Sequence, residues 1–140
     1  NMVFSDRTYP WAGIPEEYVG SEYIRTFNND KNGGIDVAYE VTISAPAIVW
    51  ITVDDRIPAE WDGDGTILSQ QDAADAVTAA FADPGTFVDT GIDIFVREKS
   101  DGTRDRAMSV FAAELPAGTY VFGAQPSGKN FYTIGAIPAQ

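Results

Sequence analysis

Alternation of apolar and polar residues is the most regular pattern in the chain. From residue 35 to residue 44, Ile, Val, Tyr, Val and Ile alternate with Asp, Ala, Glu, Thr and Ser. A period of two predicts a β-strand with one face buried and one face in water. The run 47–54 is almost continuously apolar and predicts a buried strand. Because only Ala45 and Pro46 separate these two strands, we expect them to form an antiparallel pair.

Turn-forming residues divide most of the remaining chain into further short strands. Clusters of Gly, Pro, Asn and Asp recur between apolar runs, whereas residues 1–20 show no regular pattern. The additional predicted strands are 21–27, 86–89, 92–98, 107–114, 119–124 and 130–137. About eight short strands in one domain predict an all-β fold, namely an antiparallel β-sandwich of jelly-roll type.

The segment 62–85 has a helical period instead. Ser69 is a candidate N-cap, and Asp72 follows three residues later as in a capping box. Apolar side chains then recur at helical spacing, at Ala73, Ala76, Val77, Ala80 and Phe81. Asp83-Pro84-Gly85 ends the run. We therefore expect one helix, near 70–82, inserted between strands.

Composition restricts the possible functions. A chain of 140 residues with 44% hydrophobic residues can bury a single core, and no apolar run approaches the length of a membrane span. The net charge of −12 disfavours nucleic acid and anionic lipid as partners. Without cysteine or histidine, the chain has no thiol nucleophile, no imidazole metal ligand and no Ser-His-Asp triad. A hydrolase that uses a pair of carboxylates remains formally possible.

Two polar clusters follow predicted strands and could converge on a ligand. One cluster is 29–31, after the 21–27 strand, and the other is 54–56, at the end of the 47–54 strand. Carboxylates and amides bind neighbouring sugar hydroxyls in pairs, Lys and Arg donate to sugar oxygens, and Trp61 offers an apolar face for a pyranose ring. The predicted ligand-binding residues are Asn29, Asp30, Lys31, Asp54, Asp55, Arg56, Trp61 and Tyr132. An internal network of Asp30, Asp55 and Arg56 that ties loops together is the alternative.

The other aromatic residues have less specific signals. Trp50 lies inside an apolar strand, which indicates a place in the core. Trp11, beside Tyr9 and Pro10, could serve as a lid or as a second stacking platform. Phe131 and Tyr132 are neighbours on the last predicted strand, so that one should point inward and the other outward, towards the ligand site.

Residues 60–72 resemble a calcium-binding loop. Oxygen-bearing side chains alternate at the start, Gly65 occupies the sixth position and Ile67 the eighth. The twelfth position is Gln71, a neutral amide that cannot supply the usual bidentate carboxylate. Two interpretations stay open, a solvated acidic turn before the helix and a calcium site. The candidate metal ligands would be Glu60, Asp62, Asp64 and Asp72.

Several stretches together resemble a β-sandwich module of large secreted bacterial proteins, of marine and planctomycete type, that degrade or bind polysaccharides. The stretches that carry the resemblance are 5–9, 23–31, 53–56 with Pro58 and Trp61, 87–91, 109–111, 116–118 and 121–124. The segment 62–85 departs from the pattern, in which this connection is shorter. The resemblance implies the character of a carbohydrate-binding module in an extracellular protein.

We therefore expect a non-catalytic carbohydrate-binding module, monomeric and part of a larger secreted chain, that targets a polysaccharide. The negative charge favours a neutral glycan over a sulfated or uronate-rich one; a marine galactan such as agarose is the first choice, the marine part resting on the resemblance. One alternative is a structural or adhesion module, stabilised by calcium. The other is a carboxylate-dependent glycan-cleaving enzyme, for which the adjacent Asp54 and Asp55 are poorly placed because strand neighbours diverge.

Overall fold

Strand β4 (Ala47–Asp54) lies inside the larger of two sheets and positions the rest of the fold. Every residue of β4 except Ile48 is buried. Its backbone pairs with two antiparallel neighbours, so that Trp50 lies between Ala112 on one side and Gly135 on the other. A strand with neighbours on both edges and both faces covered needs apolar residues at nearly every position, which is what this run supplies.

The computed structural model describes residues 2–4, 11–13, 22–24, 26, 39–54, 70–78, 86–99, 105–123 and 132–138. The elements in this part of the chain, with β4, are β1 (Trp11–Gly13), β2 (Glu22–Ile24), β3 (Tyr39–Ile43), α1 (Gln70–Val77), β5 (Val88–Arg97), β6 (Asp105–Leu115), β7 (Gly118–Phe122) and β8 (Ile134–Pro138). Six strands form one sheet in the order β1-β5-β6-β4-β8-β2, and β3 pairs with β7 in a second sheet. All the pairings are antiparallel. The predicted antiparallel β-sandwich is confirmed.

The predicted pairing of the 35–43 and 47–54 strands is wrong. Strand β3 pairs with β7, and β4 pairs with β6 and β8, so that residues 44–46 carry the chain from one sheet to the other. The burial of β3 alternates as its sequence predicts, with Glu40 and Thr42 exposed. A strand with one solvent-exposed face, such as β3, suits an outer layer, whereas the buried strand β4 needs partners on both edges.

Two further elements differ from the sequence prediction. Strand β1 lies within residues 1–20, where no strand was expected, and pairs with the end of β5. The predicted strands 86–89 and 92–98 are one strand, β5, whose register shifts between Asp89 and Asp93. Gly91 has a φ of 76°, a left-handed conformation that glycine adopts readily. An irregularity of this kind bends a strand without ending it.

Helix α1 begins at Gln70, the residue at which the sequence predicts a helix to begin. Its buried side chains include Ala74 and Val77, and it packs against β4. Thr78, the residue after the helix, is also buried. Ala74 was not among the apolar positions named from the sequence. The N–H of Gly123 donates to the carbonyl of Val77 at 2.7 Å, which joins the end of α1 to the end of β7. Residues 79–82 of the predicted helix lie outside the described residues.

The core lies mainly between the two sheets. It combines β4 with the facing sides of β3 and β7, and Phe87 contacts Phe122 edge to face at 6.1 Å. A second cluster contains Trp50, Ile94 and Val110, which confirms that Trp50 is a core residue. Among the described residues, no helix has the length and apolar character needed to cross a bilayer.

The six-stranded sheet is curled over this second cluster. Trp11 of β1 and Tyr23 of β2 pack on it, with their ring centroids 5.6 Å apart. These residues belong to the first and last strands of the sheet, which would lie about 24 Å apart if the sheet were flat. Curling brings the two edges together over Trp50. Trp11 therefore closes a cluster, a role different from the lid or stacking platform considered from the sequence.

Candidate functional site

Most of the ligand and metal residues predicted from the sequence lie outside the described residues. This set comprises Asn29, Asp30, Lys31, Asp55, Arg56, Trp61, Glu60, Asp62 and Asp64. Their convergence on a sugar or on calcium stays a prediction. Three other residues of the predicted sites, namely Asp54, Tyr132 and Asp72, fall within elements or segments that the structure describes.

Asp54 and Tyr132 are in the interior. Asp54 is fully buried at the end of β4, opposite Met108, and the residue takes part in further interactions. Tyr132 is also fully buried, and its hydroxyl donates to the carbonyl of Gly123 at 2.8 Å. Its ring contacts Tyr39 edge to face. Tyr132 is therefore the inward member of its pair and presents no surface to a ligand. Asp54 is buried as well, so its carboxylate is not exposed to a ligand either. Both findings correct the ligand contacts predicted from the sequence.

The end of the calcium-like segment is described at α1. Asp72 lies in the first turn of this helix. The amide nitrogen of Gln71 donates to Asp75 Oδ1 at 3.0 Å and to the carbonyl of Phe87 at 2.7 Å. Gln71 thus anchors α1 to the segment before β5. Within the described residues, no group of three or more acidic side chains could hold a metal ion. The calcium hypothesis stays a prediction, because Glu60, Asp62 and Asp64 are outside this part.

Strands β5 and β6 present a face that the sequence analysis did not single out. Along β5, Ile94 and Val96 are buried and Phe95 between them is 39% exposed. Phe95 pairs with Gly13 of β1 on one side and with Ala107 of β6 on the other. Because neither partner has a large side chain, these neighbours do not cover the aromatic ring. The residues that share this side of the two strands are named the β5–β6 face: Asp93, Phe95, Arg97, Asp105, Ala107 and the buried Ser109.

Polar groups flank Phe95 along the strand direction. On one side, Arg97 donates to Asp105 through Nε at 3.0 Å and through a terminal nitrogen at 3.1 Å. On the other side, Ser109 donates to Asp93 Oδ1 at 3.3 Å. A two-bond Arg–carboxylate pair fixes both side chains in one orientation. The β5–β6 face therefore places an aromatic ring among oriented carboxylate, guanidinium and hydroxyl groups on a rigid sheet.

A sequence signal for this face does exist. Residues 92–97 alternate strictly, with Ile, Ile and Val at the even positions and Asp, Phe and Arg at the odd positions. The signal is Phe95, an aromatic residue on the polar side of this strand. The cross-strand partners of Phe95 depend on register, however, and the short strand β1 was not expected from the sequence.

A cleft opens on the opposite flank of the sandwich, between β2 and β3. It consists of two adjoining hollows of about 330 Å³ and about 240 Å³. Both hollows are lined by Glu22, Thr42, Ile43 and Ala136. The cleft exists because the two-stranded sheet covers only part of the six-stranded one among the described strands.

The fold and its surfaces define the chain as a β-sandwich protein. No family model matches the chain, and no curated protein matches it. A solved structure of a β-glucuronidase from glycoside hydrolase family 2 is similar to it, with a TM-score of 0.65 at 16% sequence identity. The alignment covers 100% of this chain and 12% of that chain. At such low identity the likeness shows a shared fold, and this chain spans about an eighth of the length of that enzyme chain.

Proposed function

We propose that this protein is a non-catalytic carbohydrate-binding module that acts outside the cell and directs a larger protein to a polysaccharide. The observation that carries the proposal is the β5–β6 face, on which Phe95 stands between Gly13 and Ala107 and is flanked by Asp93 and Arg97. An aromatic ring accepts the apolar C–H face of a pyranose, while charged planar groups beside it bind hydroxyls in pairs.

Three observations support binding without catalysis. Asp93 and Asp105 are the carboxylates of the β5–β6 face. Asp105 pairs with Arg97, which lies four residues after Asp93 on β5, so the two carboxylates are about 13 Å apart along the strand direction. Glycoside hydrolysis generally needs two carboxyl groups between about 5 and 9.5 Å apart. The chain also has no histidine or cysteine. The similar structure is a glycoside hydrolase, of which the matching segment is only 12%, and this supports an accessory role in glycan recognition.

A neutral glycan fits the charges of the β5–β6 face. Asp105 neutralises Arg97 through two bonds, and Asp93 accepts a hydrogen bond from Ser109. The whole chain carries −12, so that sulfated and uronate-rich polymers are repelled at long range. A neutral galactan such as agarose is the first ligand to test. Arg56 and Trp61 remain candidates for a second group of contacts from the loops.

The test is affinity electrophoresis of the purified chain against soluble neutral and anionic polysaccharides, followed by calorimetry with the best ligand. Phe95→Ala should weaken binding by about tenfold or more, because loss of a stacking surface is worth about 1–3 kcal/mol. Val88→Ala is the matched control, since Val88 is a 53% exposed apolar residue on the same strand. Trp61→Ala and Arg56→Ala test the loop residues in the same assay.

The outcomes separate the possibilities. Weaker binding by the Phe95 variant alone, with an unchanged melting temperature, would support the β5–β6 face as the site. Equal effects of Phe95→Ala and Val88→Ala would contradict it. No binding to any polysaccharide would refute the function, and release of reducing ends by the pure chain would show catalysis instead.

A further inference from the structure

We propose that the cleft between β2 and β3 binds an amino-sugar unit of a glycan, with Glu22 as the counter-ion of its ammonium group. The inference rests on the proposed glycan-binding function but concerns a different surface from the β5–β6 face. It assigns a ligand class to a cavity that lies at the other end of the six-stranded sheet.

The position of Glu22 follows from the register of three strands. Glu22 of β2 pairs with Ala136 of β8, which pairs with Val49 of β4. Directly paired residues share a face of the sheet, so that Glu22 lies on the same face as the buried Val49, the face that the second sheet partly covers. Glu22 is nevertheless exposed. A carboxylate on the inner face of an edge strand cannot be enclosed without a charged partner, because burial of an unpaired charge is very unfavourable.

The charge of the cleft selects a cation. Glu22 is the only Asp, Glu, Lys or Arg among the described residues that line the two hollows. The net charge of −12 adds a long-range field of the same sign. A sulfate or uronate group would therefore meet repulsion without any local donor of positive charge in the described lining. An ammonium group would meet attraction both at long range and at Glu22.

The walls of the cleft select an ammonium group on a compact, partly apolar ring. Val41, Ile43 and Ile134 line the smaller hollow, and Val41 and Ile43 are only half-buried. Such a wall suits the C–H face of a pyranose better than a fully hydrated ion. A glucosamine-type unit combines the required charge with the required apolar face.

The matched probes are a glucosamine tetramer and an N-acetylglucosamine tetramer, which have the same ring but differ in charge. Calorimetry with the full chain at mildly acidic pH should detect binding of the glucosamine tetramer and much weaker binding of the acetylated one. Glu22→Gln should weaken glucosamine binding by about fivefold, the upper range for a partly exposed charge pair. Salt at about 0.5 M should reduce the difference between the variant and the parent chain.

Glu40→Gln is the control variant, because Glu40 is an exposed residue of β3 and does not line the cleft. It removes the same net charge and should leave glucosamine binding within twofold of the parent. Equal weakening of glucosamine binding by both variants would mean that only the net charge matters, and it would overturn the assignment of Glu22. Equal binding of the two tetramers would overturn the ammonium requirement.

Two further arms separate this inference from its alternatives. Tetralysine carries ammonium groups without a sugar ring, and Glu22-dependent binding of tetralysine that equals or exceeds glucosamine binding would overturn the amino-sugar assignment in favour of a basic peptide. Binding of a neutral polysaccharide, sensitive to Phe95→Ala and insensitive to Glu22→Gln, would uphold the proposed function even if no glucosamine binds. In that case the cleft inference alone would fail.

Discussion

Replacement of Gly135 by Ala should unfold the second hydrophobic cluster, because the indole of Trp50 lies directly over this glycine. An added Cβ would come within 2.7 Å of Trp50 Nε1 and still closer to two ring carbons. Carbon atoms in contact are normally about 3.5–4.0 Å apart, so the indole or a strand must move by more than 1 Å. The indole is only 2% exposed and packs with Ile94 and Val110, which leaves it little space.

The expected loss of stability exceeds that of ordinary overpacking. Overpacked cores lose about 1–3 kcal/mol, and here the contact involves a rigid ring on a central strand, so we expect about 3 kcal/mol or more. For a chain of this size such a loss lowers the melting temperature by about 10 °C. Urea denaturation followed by tryptophan fluorescence measures the free energy of unfolding. Gly118→Ala is the control, because its Cβ would be 3.5 Å from the Tyr120 hydroxyl and should change stability by less than about 0.5 kcal/mol.

A second substitution distinguishes the proposed collision from a general effect on strand β8. Trp50→Leu alone should be destabilising, because it leaves a cavity. In the Trp50→Leu background, Gly135→Ala should be at least about 1 kcal/mol less harmful than in the parent chain, since the colliding ring is gone. Strict additivity of the two changes, or a stability loss below about 1 kcal/mol for Gly135→Ala, would refute the reasoning.

Three further outcomes are expected. Gly91→Ala should destabilise the chain by about 1 kcal/mol and Gly91→Asn by less, because φ is 76° and the site is spatially open, so that thermal melts isolate the backbone effect. Thr26→Val should lower the unfolding free energy by about 1–3 kcal/mol, since the buried hydroxyl donates to the carbonyl of Tyr132 at 2.7 Å; Thr42→Val, at an exposed hydroxyl pair, should have a smaller effect. If residues 60–72 bind calcium, a chelator should lower the melting temperature and calcium should restore it; no shift in either direction would contradict the site.

Local patterns predicted the elements better than their partners. The continuous apolar run of β4 and the alternation in β3 correspond to observed strands, and the helical spacing placed the start of α1 at residue 70. Pairing failed where sequence proximity was the only guide, since β3 pairs with β7, some 75 residues later in the chain. The pairing depends on the core, because β4 is stabilised by a second layer over one face as well as by neighbours on its two edges.

The candidate surfaces show the same limit. Asp54 and Tyr132 carry polar groups that suggested ligand contact, but a carboxylate or phenol can equally be satisfied inside the protein, as the bond from Tyr132 to Gly123 illustrates. Phe95 gave the opposite signal, an apolar residue that the core does not use. The sequence shows where these residues lie along the chain. Only the register of Phe95 with Gly13 and Ala107 shows that the neighbouring side chains leave its ring uncovered.

Strand register places both proposed surfaces on one face of the six-stranded sheet. The opposite face carries Trp50 and is closed by Trp11 and Tyr23. The face shared by Phe95 and Glu22 also carries Val49 and is partly covered by the two-stranded sheet, with Phe95 on one flank and Glu22 on the other. Four strand spacings separate β5 from β2, about 19 Å along the sheet. Groups this far apart act independently, so the free-energy effects of Phe95→Ala and Glu22→Gln on the binding of a mixed glycan should add within about 0.5 kcal/mol. A larger coupling, measured by calorimetry on the double variant, would mean that both residues serve a single site.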